Sequence, residues 1–306
     1  MARVAILGLG LIGGSLGLAL RGSVGKGQEV VGYDRDRETA RKAQERGAVE
    51  RAAPSLREAV AEAGLVVIAT PIGAIGPLMQ EIAPHLPQRC VVTDTASVKG
   101  VVMEWAERAL PQGAHFVGGH PMAGKERWGI DAAQGDLFQG RPYAIVAPPE
   151  APDAAVEAVV ALALQVGAHP LFLDAQDHDR LAAAVSHLPL VLSTALFSLA
   201  HTSPSWEDLA RLAGPAFRDM TRLASGNPEM SRDICRFNAE AILHWLDRMA
   251  AELARYRHLI EGEGDGLLAA FQEAQQEREL FLSEGQGAWD KGHDPRPLTH
   301  DPPRRS

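Results

Sequence analysis

The segment Gly118-Gly119-His120-Pro121-Met122-Ala123-Gly124 sets one histidine among small residues. Gly and Pro favour irregular backbone, so the sequence predicts a turn that displays His120 on no helix or strand face. An imidazole held this way can keep or release a proton near neutral pH. The bland alternative is a histidine tied into the turn by its own hydrogen bonds. Upstream, Asp94-Thr95-Ala96-Ser97-Val98-Lys99-Gly100 follows an apolar run. Ser97 can hydrogen-bond a substrate or a neighbour, or simply cap the next helix. Lys99 reads as a general base or as a solvated charge.

A second group of residues is built to hold a nucleotide. Gly8-Leu9-Gly10-Leu11-Ile12-Gly13 matches GxGxxG between a predicted strand and a predicted helix, and Asp34 ends the next strand. Glycines let the backbone approach a pyrophosphate, which sits at a helix N-terminus where free N–H groups favour an anion. Asp34 would accept hydrogen bonds from the adenosine ribose, and its charge favours NAD over NADP; Arg35 beside it weakens that preference. A flavin and a ligand-free glycine turn are the alternatives. Thr70-Pro71 closes a later strand, where it would lie by the nicotinamide half of the cofactor or merely end the strand.

These groups need a scaffold, and the alternation of elements provides one. Continuous apolar runs at 3–7, 30–33, 65–69 and 90–94 alternate with helical patterns, and 144–146 and 171–173 read as later strands. That pattern predicts an α/β fold, a Rossmann-type doubly wound parallel sheet covered on both faces, over residues 1–174. From Asp179 to Gln276 only helical periodicity remains, as in the stripe Ala239-Ile242-Leu243-Leu246-Met249-Leu253. We read 175–284 as an all-helical second domain that forms a homodimer, and 285–306 as a disordered tail.

Composition narrows the class further. A net charge of −9 over 306 residues, without a Lys/Arg run, speaks against nucleic acid. Two cysteines, Cys90 and Cys235, lack zinc or disulfide spacing, so no metal site and a cytoplasmic, reducing setting are expected. The apolar N-terminus carries glycines rather than a signal-peptide pattern, and no other apolar run reaches the ~20 residues of a membrane span.

Five motifs together resemble the prephenate and arogenate (cyclohexadienyl) dehydrogenases of tyrosine biosynthesis. They are Gly8 to Ser15, Thr93 to Lys99, Gly118 to Glu126, Val185-Ser186-His187-Leu188-Pro189 and Phe217-Arg218-Asp219-Met220-Thr221-Arg222. The resemblance implies NAD-dependent oxidation of a cyclohexadienol with loss of CO2. It gives His120 the role of acceptor for the ring hydroxyl and Ser97 that of bonding this hydroxyl or steadying the histidine. Arg222 would take a substrate carboxylate in a bidentate fork, Glu126 would pair with that arginine and gate the pocket, and His187 would lie near the substrate. By the same resemblance His178 is mainly structural. Strict prephenate enzymes often carry a second histidine after the Pro of Ser-His-Leu-Pro; here it is Leu190, which keeps arogenate in play. β-Hydroxyacid dehydrogenases typically use a lysine in their helical domain, and 179–276 contains none.

Overall fold

A computed structural model describes residues 3–23, 28–262 and 264–290. The chain starts with β1 (Arg3–Leu7), α1 (Leu11–Ser23), β2 (Glu29–Tyr33), α2 (Arg37–Glu45), β3 (Arg51–Ala52) and α3 (Leu56–Val60). It continues with β4 (Leu65–Ile68), α4 (Ile72–Ile82), β5 (Val91–Asp94), α5 (Gly100–Ala109) and β6 (His115–Phe116). These strands form a six-stranded parallel sheet in the order β3-β2-β1-β4-β5-β6. The order reverses between β1 and β4, the position at which open α/β sheets bind ligands.

The sheet is buried on both faces, as its unbroken apolar strands require. Val4 and Ile6 of β1 face one core with Val30, Leu65 and Val67, while Ala5 and Leu7 face the other with Val31, Val66 and Ile68. Each Val, Leu or Ile side chain among them contributes about 1.5–3 kcal/mol by leaving water.

The later strands depart from the expected single sheet. β7 (Gly118–Pro121), β8 (Pro142–Val146) and β9 (His169–Phe172) form a separate three-stranded sheet, with β7 antiparallel to β8, and α6 (Asp153–Gln165) links β8 to β9. His120 therefore lies in a strand opposite Ala144, not in a turn, and is buried at 6% exposure. Gly118 and Gly119 supply no Cβ, and this is what the strand needs. A Cβ on Gly119 would lie 2.7 Å from the Asp94 carbonyl oxygen and 2.8 Å from Tyr143 Oη.

After β9 the chain is helical: α7 (Ala175–Ala182), one turn of π-helix (Ala183–His187), α8 (Leu188–His201), α9 (Trp206–Leu212) and α10 (Pro215–Thr221). α11 (Pro228–Phe237), α12 (Ala239–Glu261) and α13 (Asp265–Asp290) complete it. Ala183, Ile234 and Ile242 join the second core of the sheet, which fixes the helices to the first domain. The continuous helical run Ala175–His201 has 27 residues and contains an 18-residue window of mean hydropathy 1.6, by length and composition enough to cross a membrane. This corrects the expectation that no run reaches that length: Leu181 to Ser198 carries no acidic or basic side chain apart from His187. The expected tail is also corrected in part, since α13 continues through Asp290. Glycines at 285 and 287 cost ~1 kcal/mol each, too little to stop a helix already propagating. Residues 291–306 lie outside the described residues.

Candidate active site

The glycine loop is shaped by two different demands. Gly8 has φ +93°, and a Cβ there would lie 2.6 Å from the Ala69 carbonyl oxygen; one at Gly13 would lie 1.9 Å from the Gly8 carbonyl oxygen. Those two glycines serve the packing of α1 on the sheet. At Gly10 a Cβ would meet no protein atom within 4 Å. The fold has no need of glycine at Gly10, whereas a pyrophosphate approaching the N-terminus of α1 does. Leu11 and Ile12 open that helix and remain half-buried beside the loop.

Asp34 is oriented toward the same loop. Its Oδ2 accepts from the Leu9 N–H at 2.8 Å and its Oδ1 from the Asp36 N–H at 2.9 Å, while Arg35 is exposed next to it. On the other side of β1, Thr70 approaches Gly8, with its methyl 3.0 Å from the position of a Gly8 Cβ. Thr70 Oγ1 is buried without a hydrogen-bond partner, and Pro71 leads into α4. The open space at Gly10, the fixed carboxylate of Asp34 and the unpartnered Thr70 hydroxyl fit a dinucleotide.

His120 faces a chain of polar groups from the helical domain. Its Nδ1 lies 2.8 Å from His178 Nε2, and His178 Nδ1 lies 2.8 Å from Asp179 Oδ1. The carboxylate can only accept, so His178 carries its proton on Nδ1 and accepts at Nε2. His120 must then donate from Nδ1, which leaves its Nε2 bare as an acceptor. The strand position buries the ring, and an imidazolium there would be repelled by any charge on the neighbouring His178, Lys99 or His187; together these hold the His120 pKa well below the usual histidine value. Burial also lowers His178, against the pull of Asp179. Burial alone would raise Asp179, yet its bonds to the His178 ring and to the Lys99 and Gly100 N–H groups hold it below the usual carboxylate range.

Those last two bonds, at 2.6 and 2.8 Å, make Asp179 the cap of α5 from another domain. Ser97, a sequence candidate for that cap, instead lies half-buried in the bend before α5, its backbone beside the His187 ring. Lys99 is neither solvated nor near the surface. It is 0% exposed, paired with Asp94, and donates to the Gly119 carbonyl oxygen at 2.8 Å. Burial lowers its pKa against the attraction of Asp94 and Asp179.

His187 occupies the π turn, a local widening common at functional positions. It too is fully buried. Its Nδ1 takes part in a 3.1 Å hydrogen bond with Asn238 Nδ2, its Nε2 has no partner, and burial holds its pKa at about 4. Arg222 Nη1 pairs with Glu126 Oε1, joining the loop after β7 to the helical domain. Both line a cleft of about 400 Å³ together with Phe197, Arg218 and Thr221. Arg222 is 57% exposed there, so its fork remains accessible to an anion.

The contact of His178 with His120, and of Asp179 with His178, escaped the sequence reading, which took His178 as structural. The only local signal was Asp177-His178-Asp179, a histidine beside acceptors. Leu190 packs half-buried against the second core.

Comparison with known proteins agrees with this architecture. Residues 16–171 match the nucleotide-binding domain of prephenate dehydrogenase and residues 174–273 its dimerization domain. A prephenate dehydrogenase of Bacillus subtilis is 33% identical over 93% of this chain and 77% of its own. The crystal structure of Synechocystis arogenate dehydrogenase is 30% identical, with TM-score 0.76 over 91% of this chain and 99% of that one. A prephenate dehydrogenase from A. aeolicus, solved in complex with hydroxyphenyl propionate and NAD+, is 28% identical, with TM-score 0.85 over 92% and 98%.

Proposed function

The chain belongs to the prephenate dehydrogenase family, and from that premise we propose that it oxidises prephenate to 4-hydroxyphenylpyruvate and CO2 with NAD as acceptor. It is an oxidoreductase with a Rossmann-type domain. The observation that carries the finer reading is the relay Asp179–His178–His120, which leaves one imidazole nitrogen as a neutral acceptor in a dry site.

NAD, when bound, would supply the hydride acceptor; Gly10, Leu11 and Ile12 would lie at its pyrophosphate on a loop shaped by Gly8 and Gly13, Asp34 beside Arg35 at its ribose, and Thr70 and Pro71 toward the nicotinamide. His120 Nε2 accepts a hydrogen bond from the ring C4 hydroxyl and draws its proton as the C4–H bond breaks. The C1–carboxylate bond breaks in the same sense, its electron pair completes the aromatic ring, and the proton returns to the phenol oxygen. Ser97 bonds that hydroxyl or steadies His120. Arg222 takes a substrate carboxylate, released to do so by Glu126, which gates the cleft. His187 contributes to the substrate pocket.

Leu190 favours a second reading. An apolar residue there provides no donor for the pyruvyl group of prephenate, so arogenate, which would yield tyrosine, is the alternative substrate. The carboxylate of Asp34 supports NAD over NADP, and the free thiols Cys90 and Cys235 fit a cytoplasmic enzyme. The helical domain supports a homodimer. Measuring kcat/KM for prephenate and arogenate, each with NAD and NADP, tests this reading. Prephenate with NAD is expected to give the highest value; a preference for NADP would remove the role of Asp34, and no turnover of either substrate would refute the assignment.

A further inference from the structure

We propose that the buried pair Lys99–Asp94 is a positioning device for His120, gripping Gly119, the residue that precedes it, by its N–H and its carbonyl. Gly119 is held from both sides: its N–H donates to Asp94 Oδ1 at 3.1 Å, and its carbonyl oxygen accepts from Lys99 Nζ at 2.8 Å. Asp94 ends β5 and Lys99 opens the way into α5, so the grip ties the second sheet to the first at the strand that carries the histidine. Asp94 Oδ2 also accepts from the Ala96 N–H at 2.9 Å, which fixes its carboxylate before Lys99 pairs with it. Gly119 closes the arrangement, because any side chain there would strike Asp94 and Tyr143.

The pair acts on His120 in two ways. It sets where the ring stands relative to His178, and the Lys99 ammonium adds a positive charge that disfavours the imidazolium. The other titratable groups acting on His120 are His178 from α7 and His187 from the π turn, with Asp179 reaching it only through His178 and Tyr143 from β8 lying against Gly119. None of them bonds both the N–H and the carbonyl of Gly119. This inference rests on His120 being the hydroxyl acceptor, so His120→Asn serves as the reference variant.

The test compares Asp94→Asn/Lys99→Met, which keeps the buried site neutral, with the wild type at prephenate and NAD concentrations spanning each KM. The double variant is expected to melt as a folded protein with both KM values within about two-fold and kcat lower by about 10²-fold, the cost of a misplacement near 1 Å. The acid limb of its kcat/KM profile is expected to move up toward the ordinary histidine value, a shift that a merely structural pair would not produce. If that variant does not fold, Asp94→Asn alone, which leaves one acceptor oxygen for the Gly119 and Ala96 N–H groups and unpairs Lys99, is expected to lower kcat without raising KM. A folded variant with wild-type kcat and an unmoved limb overturns the clamp, while His120→Asn shows separately whether His120 is the acceptor.

Discussion

At a pH where an ordinary histidine is half protonated, His120 stays neutral, chiefly because it is buried, with the nearby Lys99 further disfavouring the imidazolium. The proposed acceptor role needs the neutral ring, so kcat/KM is expected to rise with pH and reach its plateau below pH 6.5, the usual histidine value. A pH–rate profile with an acid limb at or above 6.5 would contradict this. Arg222 works differently, because its ion pair with Glu126 lies in the open and contributes little to stability. Arg222→Ala is therefore expected to leave melting unchanged and to raise the substrate KM by about 10- to 100-fold, the value of a lost charge-assisted hydrogen bond. Steady-state kinetics with an unchanged KM would remove Arg222 from substrate binding.

The elements divide into those the sequence announces and those it hides. β4 is an unbroken apolar run, β1 one after its first residue Arg3, and β5 opens on Val91-Val92, so their parallel sheet was legible from residue types alone. β7 was not, since Gly118-Gly119-His120-Pro121 has no strand propensity and is extended only by pairing with β8. The contacts of Asp179 with α5 and of His178 with His120 were hidden for a related reason: they join residues far apart in sequence through tertiary packing. The glycine loop offers a clean comparison within one element. Gly10→Ala is expected to melt like the wild type yet bind NAD at least about tenfold more weakly, as nothing but ligand occupies its Cβ position. Gly13→Ala is expected to lower the melting temperature, because its Cβ would collide with the Gly8 carbonyl. Calorimetry with NAD and thermal melts separate the two, and equal behaviour of both variants would contradict the assignment of Gly10 to the cofactor.

Over the whole molecule, the helical half carries unpaired apolar surface. Leu243 and Leu253 of the sequence stripe are exposed with Ile260 on α12, as are Leu268 and Phe271 on α13, whereas Ile242 turns inward. A second copy would cover these residues, so Leu253→Asp/Ile260→Asp is expected to shift sedimentation from dimer to monomer; a monomeric wild type would refute the dimer. Stability should follow the buried histidines. His187 is neutral when folded, with a pKa of about 4 against 6.5 when unfolded, so the unfolded chain binds more protons between those values. The melting temperature is expected to be highest above pH 6.5 and to fall toward pH 4, with His187 contributing at most about 3 kcal/mol. The most direct test of the central claim is the rate of NAD reduction by prephenate in wild type and His120→Asn, alongside NAD affinity. The variant is expected to turn over about 10²- to 10⁴-fold more slowly with NAD affinity near normal; a variant as fast as the wild type would contradict the assignment of His120 as the hydroxyl acceptor.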